Sequence, residues 1–193
     1  MSEPRVYCAL VHHPVKDRAG QTVTTAVTNL DVHDIARSAR TFGLRRYYVV
    51  TPIEAQHVLV QRIIDHWTHG AGRRRIPERH EALALCESVA TLEQAIADVS
   101  RREGERPQLV ATAARPSVDR PLTRFSDAAA QLRGGAAPYL VVFGTGHGLA
   151  DSVLAQADML VEPIAGNSAD GYNHLSVRAA AAIILDRLLG RNG

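Results

Sequence analysis

Short apolar runs alternate with longer stretches in which apolar residues recur at helical spacing, and this alternation organises the whole chain. The run VYCALV at 6–11, closed by His12, His13 and Pro14, has the length and composition of a buried strand that opens a domain. Polar, Gly- and Thr-rich sequence follows and predicts no element. In 29–43 (NLDVHDIARSARTFG) Ile35, Ala39 and Phe42 repeat near helical spacing, Asn29 to Asp31 lead in, and Gly43 closes the end, which predicts a helix capped at both termini. The β-rich stretch 46–51 stops at Pro52, and 53–67 again carries Ala, Val, Leu and Ile at helical intervals. Residues 69–77 are basic and contain glycine, which predicts an exposed loop. A weaker strand is predicted at 84–89, then a helix opening at Thr91 with Glu93 and Gln94 behind it.

The second half repeats the alternation. QLVAT (108–112) and YLVVF (139–143) read as strands separated by a helix at 125–132, and the second strand runs straight into Gly144, Thr145, Gly146, His147 and Gly148. A short helix at 149–155, a strand at 159–161, an irregular stretch at 162–172 and a long Ala/Ile/Leu helix at 174–189 follow. Strands alternating with helices imply an α/β fold with a mostly parallel sheet and helices on both faces.

A chain of 193 residues holds one well-buried core, so a single domain over 1–193 is expected. Hydrophobic residues make up 46% and aromatics 5%, which fits a sheet covered by Ala- and Leu-rich helices better than an aromatic-cored sandwich. The balance of 22 Lys+Arg against 20 Asp+Glu neither demands nor excludes a polyanionic partner. Local clusters therefore matter: Arg45-Arg46, Arg73-Arg74-Arg75 and Arg101-Arg102 each read as a phosphate grip or as solvated surface charge. Cys8 and Cys86 lie in apolar runs without CxxC spacing and read as reduced core thiols. No stretch approaches the roughly 20 apolar residues of a membrane span, and no signal peptide is seen, so a cytoplasmic protein is expected.

Several chemistries are excluded by motif. There is no GxxxxGK[ST] for a triphosphate and no GxSxG elbow, and GTGHGL lacks both the GxGxxG spacing and the early position of a dinucleotide fingerprint. His, Cys, Asp and Glu never cluster at metal-ligand spacing, so no metal is expected; His12-His13 and the His66/His69 pair read as packing or surface residues. In a parallel sheet ligands bind beyond the carboxyl ends of strands, which singles out the loops 113–116 (Ala113, Ala114, Arg115, Pro116), 144–149 and 164–176. Their Gly, Ala and Asn residues let backbone N–H and C=O groups approach a flat ring closely.

With those residues in view, 29–43 resembles the first motif of the ribose-methylating branch of SPOUT RNA methyltransferases, where an Asn and an Arg flank a helix ending in Phe-Gly. Asn29 and Arg37 stand in those places. FGTGHGL at 143–149 resembles the second motif, and 163–184, beginning PIAGNSADGYNHL, resembles the third. The resemblance spans nearly the whole chain and is nearest to a bacterial group of predicted SPOUT RNA methyltransferases, some of which occur joined to the tRNA guanine-N1 methyltransferase.

This resemblance implies a C-terminal trefoil knot, S-adenosylmethionine as cofactor, RNA (tRNA or rRNA) as partner and a homodimer formed through the knot region. It implies an adenine held by the backbones of Gly144, Gly146 and Leu149, above Ala113 and Ala114, with Ile164 and Gly166 alongside and Leu175 as an apolar wall. Thr112, Phe143, Thr145, His147 and Gly148 belong to the same cofactor loops, as do Pro163, Tyr172, Asn173 and His174. For the reacting centre it implies two alternatives. Arg37 with Asn29 and Ser176 points to ribose 2′-O-methylation; Asp170, in the cofactor loop, points to proton removal from a guanine base. The chain departs from both patterns, because His147 stands where the ribose branch prefers an acid, and the base branch lacks the first motif. Arg37 also reads as a structural partner of Asp34 or Asp31. Arg73, Arg74 and Arg75 are candidates for RNA-backbone contact. Two readings of other classes stay open: a non-catalytic module that binds S-adenosylmethionine and RNA, and an unrelated α/β nucleotide-binding transferase.

Overall fold

The computed structural model describes residues 4–70, 72–114 and 120–191. From the N-terminus the chain forms β1 (Val6–Val11), a small antiparallel hairpin of β2 (Val15–Lys16) and β3 (Thr22–Val23), α1 (Asn29–Thr41) and β4 (Tyr47–Val50). Then come α2 (Glu54–Thr68), α3 (Gly72–Arg75), α4 (Pro77–Leu83), β5 (Cys86–Val89), α5 (Leu92–Glu103) and β6 (Gln108–Thr112). The chain ends with α6 (Phe125–Gly134), β7 (Tyr139–Gly144), α7 (Asp151–Gln156), β8 (Met159–Val161) and α8 (Val177–Leu189).

The six main strands form one parallel sheet in the order β5-β4-β1-β7-β6-β8. β1 lies inside it, between β4 and β7, and is buried along its whole length. That position explains why its sequence is a continuous apolar run and not an alternating one: both faces are covered. On one face Val32, Ile35 and Ala39 of α1, Leu132 of α6 and Leu185 and Leu188 of α8 pack on Cys8, Leu10, Val49 and Val141. On the other, Leu92, Ala95 and Val99 of α5 and Val153 and Leu154 of α7 pack on Tyr7, Ala9, Val11 and Tyr48. Cys8 and Cys86 are free and buried, and burial pushes both thiols up, which leaves them unreactive.

Three local differences from the sequence expectation have simple causes. The hairpin β2–β3 escapes prediction because two-residue strands carry no periodicity. The stretch expected to be an exposed loop holds α3 and leads into α4, with Pro77 in the first helical turn; Ala82 and Leu83 then anchor α4 in the core. The last helix begins at Val177 and not at His174, because Ser176 caps it by accepting from the N–H of Ala179. His174 and Leu175 are thereby left in the irregular chain before the helix.

Two of the three arginine clusters serve the fold. Arg45 pairs with Glu103 (2.6 Å) and Arg46 with Glu87 (2.7 Å). Arg101 and Arg102 both pair with Asp98, which also accepts a buried hydrogen bond from Tyr48 (2.6 Å). Partial burial raises the Asp98 carboxyl, but the bonds from Arg102 and Tyr48 outweigh it and hold the group below its usual range. Arg73, Arg74 and Arg75 are exposed on α3. Among the described residues no helix is long and apolar enough to cross a membrane.

His12 ends β1 and ties it to the segment after the hairpin. Its N–H donates to Val50 (2.9 Å), its carbonyl accepts from the N–H of Thr25 (2.9 Å), and its Nδ1 lies 3.0 Å from the Thr25 hydroxyl. The ring is fully buried, and burial lowers its pKa to about 4 despite the opposing pull of Asp31. The folded protein therefore prefers neutral His12, so this contribution is complete above pH 6.5 and is lost as pH falls toward 4. His33, also lowered chiefly by burial, acts in the same direction.

Urea unfolding is expected to show about 2 kcal/mol less stability at pH 5 than at pH 6.5, since each tenfold loss of proton affinity on folding is worth about 1.4 kcal/mol, and His12→Gln should flatten most of that slope. Tyr48→Phe should cost about 1–2 kcal/mol at pH 7 by the same assay, since Asp98 loses a buried donor.

Candidate functional site

All six parallel strands end on the same side of the sheet, and a cavity of about 540 Å³ opens there beyond β6 and β7. β7 finishes at Gly144, and the turn that follows reverses at Gly146 (φ 60°) and Gly148 (φ 104°). A Cβ on Gly144 would lie 2.5 Å from the Leu149 nitrogen, so only glycine lets the turn fold back over its own strand.

The turn is braced from outside. The Thr145 N–H and hydroxyl donate to the Val11 carbonyl (3.2 and 3.1 Å), and that hydroxyl also meets Thr25 Oγ1 at 2.5 Å. His147 N–H donates to Lys16 O (2.9 Å), and Lys16 N–H donates to Gly148 O (2.8 Å). Leu149 bridges to Val15 between bonded neighbours, so its own backbone polar groups are turned away from the hairpin. The hairpin that the periodicity does not reveal is thus what fixes the glycine turn.

The opposite wall is the irregular stretch after β8. Asn173 Nδ2 donates to the Ile164 carbonyl (2.7 Å) and clamps the two ends of that stretch together. Glu162 accepts from the N–H of Phe125 (2.8 Å), and Ser176, Val177 and Ala180 of the α8 N-terminal turn close the cavity. Thr112, Ala113 and Ala114 contribute from β6, and the Thr112 hydroxyl donates to Val142 O (3.0 Å). The result is a concave site of ligand size, with apolar walls, glycine backbone and a few placed polar groups. An adenosyl group fits that character: a flat ring needs open backbone, and Gly148, where a Cβ would meet nothing within 4 Å, supplies it.

Of the residues singled out from sequence, Thr112 to Ala114, Phe143 to Leu149, Pro163, Ile164, Asn173 to Leu175 and Ser176 line this cavity. Gly166 and Tyr172 do not. A Cβ on Gly166 would meet the Tyr172 carbonyl at 3.3 Å, and the Tyr172 side chain, beside the His174 ring at 5.3 Å, is 65% exposed. Arg115 and Pro116 lie outside the described residues. Lys16, Thr25 and Glu162 also line the site and carry no motif signal; strand order and the hairpin bring them there, and Asp31, from the 29–43 motif stretch, joins them.

The candidates for the reacting centre are dispersed. Asn29 and Arg37 line a second cavity, on the α1–α2–α4 side. Arg37 does not pair with Asp31 or Asp34, because Arg178 of α8 takes both acids, each at 3.5 Å. Asp170 sits on an exposed turn before Gly171 (φ 74°); hydrogen bonds from the Ser168 hydroxyl and then the Tyr172 N–H hold its carboxyl below the usual range. Within one chain, Ser176 is the member of that set that reaches the first cavity. Among the described residues no three His, Cys, Asp or Glu groups stand close enough to hold a metal ion.

Comparison with known proteins agrees with this geometry. The chain is 49% identical over 185 residues to a tRNA (guanine-N(1)-)-methyltransferase of Oleidesulfovibrio alaskensis; the match covers 96% of this chain and 42% of that protein. It is 41% identical to an uncharacterized protein of Aquifex aeolicus, over all of this chain and 92% of the other. The chain thus spans less than half the length of the first relative and nearly all of the second. Its fold matches the SpoU methyltransferase AviRb of Streptomyces viridochromogenes, solved with AdoMet, at a TM-score of 0.55 and 19% identity, covering 100% of this chain and 62% of that one. The architecture is therefore that of the SPOUT methyltransferases. A family model described as SAM-dependent RNA methyltransferase matches residues 5–190, and the chain belongs to that family.

Proposed function

We propose that the chain methylates tRNA from S-adenosylmethionine held in the cavity beyond β6 and β7, as a homodimer in the cytoplasm. The observation that carries this reading is the cavity itself. Its walls are glycine-turn backbone, four alanines and apolar side chains with a few polar groups among them, which recognise an adenosyl group by shape and by backbone edges. The tRNA part rests on the name of the long relative from Oleidesulfovibrio, of which this chain matches a part.

S-adenosylmethionine supplies an electrophilic methyl group on a sulfonium. The protein's task is to exclude water, hold the RNA nucleophile in line behind that methyl, and accept or screen a proton. Ser176 stands at the rim for positioning. Arg37 and Asn29 belong to the reacting centre of a second copy in this reading, since in their own chain they face the other cavity. Arg37 is favoured over Asp170 because the Asp170 carboxylate is exposed and already engaged by its own turn. Exposed Leu30 on α1 and exposed Tyr172 and Leu175 just before α8 give the dimer an apolar contact, and α8 adds half-buried Ala179, Ala180 and Ala182. A knotted path for the stretch before α8 goes with this assembly; the backbone bonds from Thr123 to Leu160 and from Glu162 to Thr123 already stitch that stretch to the chain entering α6.

Calorimetry is expected to show one S-adenosylmethionine site per chain, with Gly144→Val weakening it at least tenfold, or about 1.4 kcal/mol. Tritiated methyl transfer to bulk tRNA should fall about 10²-fold in Arg37→Ala with cofactor affinity kept within twofold, and little in Asp170→Ala. Nucleoside digests of the labelled tRNA then read the atom: a 2′-O-methylnucleoside supports the Arg37 route, a methylguanine the Asp170 route. Cofactor binding without transfer to any RNA would instead identify a non-catalytic module.

A further inference from the structure

The second cavity, about 550 Å³, is walled by one face each of α1, α2 and α4. α1 contributes Asn29, His33 and Arg37, four residues apart and so on one side of the helix. α2 contributes Arg62, His66 and Trp67, and α4 contributes Arg79. The indole organises the group: the Arg79 guanidinium lies 4.6 Å over its ring, and the His33 and His66 rings meet it edge-on at 5.7 and 5.1 Å.

The cavity also gathers positive charge. Several arginines elsewhere are committed to carboxylates: Arg40 to Glu81, Arg46 to Glu87, Arg102 to Asp98, Arg106 to Asp158. Among the described residues, Arg37, Arg62 and Arg79 make no salt bridge. The acid in the lining, Asp34, is taken by Arg178. His33 Nδ1 is buried with no hydrogen-bond partner among the described residues. Three guanidinium groups from three helices therefore line one concavity whose acid, Asp34, is already engaged by Arg178. Exposed Arg73, Arg74 and Arg75 add positive charge on α3, which packs against both α2 and α4.

We propose that this cavity grips phosphate groups of the RNA substrate, with Arg62 and Arg79 as the phosphate-binding residues and Trp67 as the platform that fixes Arg79. The assignment rests on the RNA-methyltransferase reading and adds to it a contact site that the cofactor cavity does not contain. RNA suits it better than an acidic peptide does. The chain belongs to an RNA methyltransferase family, and guanidinium forks engage phosphate oxygens in pairs, so several of them in one concavity suit a polymer that carries a phosphate at every residue.

Trp67 is the single tryptophan of the chain, so its emission reports this cavity directly. Titration of the full-length wild type with unfractionated tRNA, and with an oligouridylate of about 12 nucleotides, should change that emission; polyglutamate of similar length should not. Filter retention of labelled tRNA between about 50 and 200 mM salt gives the slope of log K against log salt. Arg62→Ala/Arg79→Ala should lower the slope by about 1.4, at about 0.7 per single-strand phosphate contact, and weaken binding at least tenfold. Arg106→Ala should change neither, and S-adenosylmethionine affinity should stay within twofold in all variants. Should the double variant lose its cooperative melt, Arg62→Ala alone, at an exposed position, carries the test with a slope change of about 0.7. Wild-type affinity and slope retained in a folded variant, or polyglutamate moving the Trp67 emission as tRNA does, overturns the assignment alone. A wild type that binds S-adenosylmethionine but neither binds nor methylates RNA overturns the RNA reading, and this site with it.

Discussion

The site depends on one set of hydrogen bonds, those that bind the glycine turn after β7 to the chain leaving β1. Val11 O receives both donors of Thr145, and Lys16 exchanges backbone bonds with His147 and Gly148. A turn with glycine at three of its first five positions has large conformational freedom when unfolded and no side-chain packing of its own to hold it. The bonds from the 11–16 segment give it a single shape, and that shape sets Gly144 to Leu149 in the wall of the cavity. The register of β1 with β7, Val11 opposite Gly144, is what brings the donors to their acceptors.

A second constraint is the disposition of charge. The chain is almost neutral, yet its cations are not evenly matched with its anions. The α5 side of the sheet concentrates Asp98, Glu103 and Glu87 with Arg45, Arg46, Arg101 and Arg102, and that network holds helix to sheet. On the α1–α2–α4 side Arg37, Arg62 and Arg79 line one cavity with Trp67, Arg79 over its ring, and the acid there, Asp34, is engaged by Arg178. Burying or clustering unpaired guanidinium groups costs stability, so a cluster of this kind is retained where a ligand supplies the missing charge.

Arg178 links the two cavities, joining Asp31, which lines the first, to Asp34, which lines the second. A family that brings a cofactor and a polyanionic substrate together needs two such surfaces, one shaped for a flat ring and the other for phosphate. The backbone-walled cavity and the arginine-walled cavity have those two characters.

Much of the fold was legible in the residues. The runs at 6–11, 108–112 and 139–143 read as buried strands because strands covered on both faces are continuously apolar, and the caps at Thr91 and Gly43 marked helix ends because each satisfies a specific backbone need. The glycine turn and the loop before α8 were recognisable as ligand-facing through motif resemblance. Three features were decided by tertiary structure alone. The β2–β3 hairpin is too short to have a period, the pairing of Arg178 with Asp31 and Asp34 joins residues more than 140 positions apart, and the convergence of Arg37, Arg62 and Arg79 on one cavity is a product of helix packing. Sequence by itself determined the elements, because periodicity and capping act within a few residues. The fold alone decided which arginines are paired and which face a cavity, because that depends on contacts between elements that no local pattern encodes.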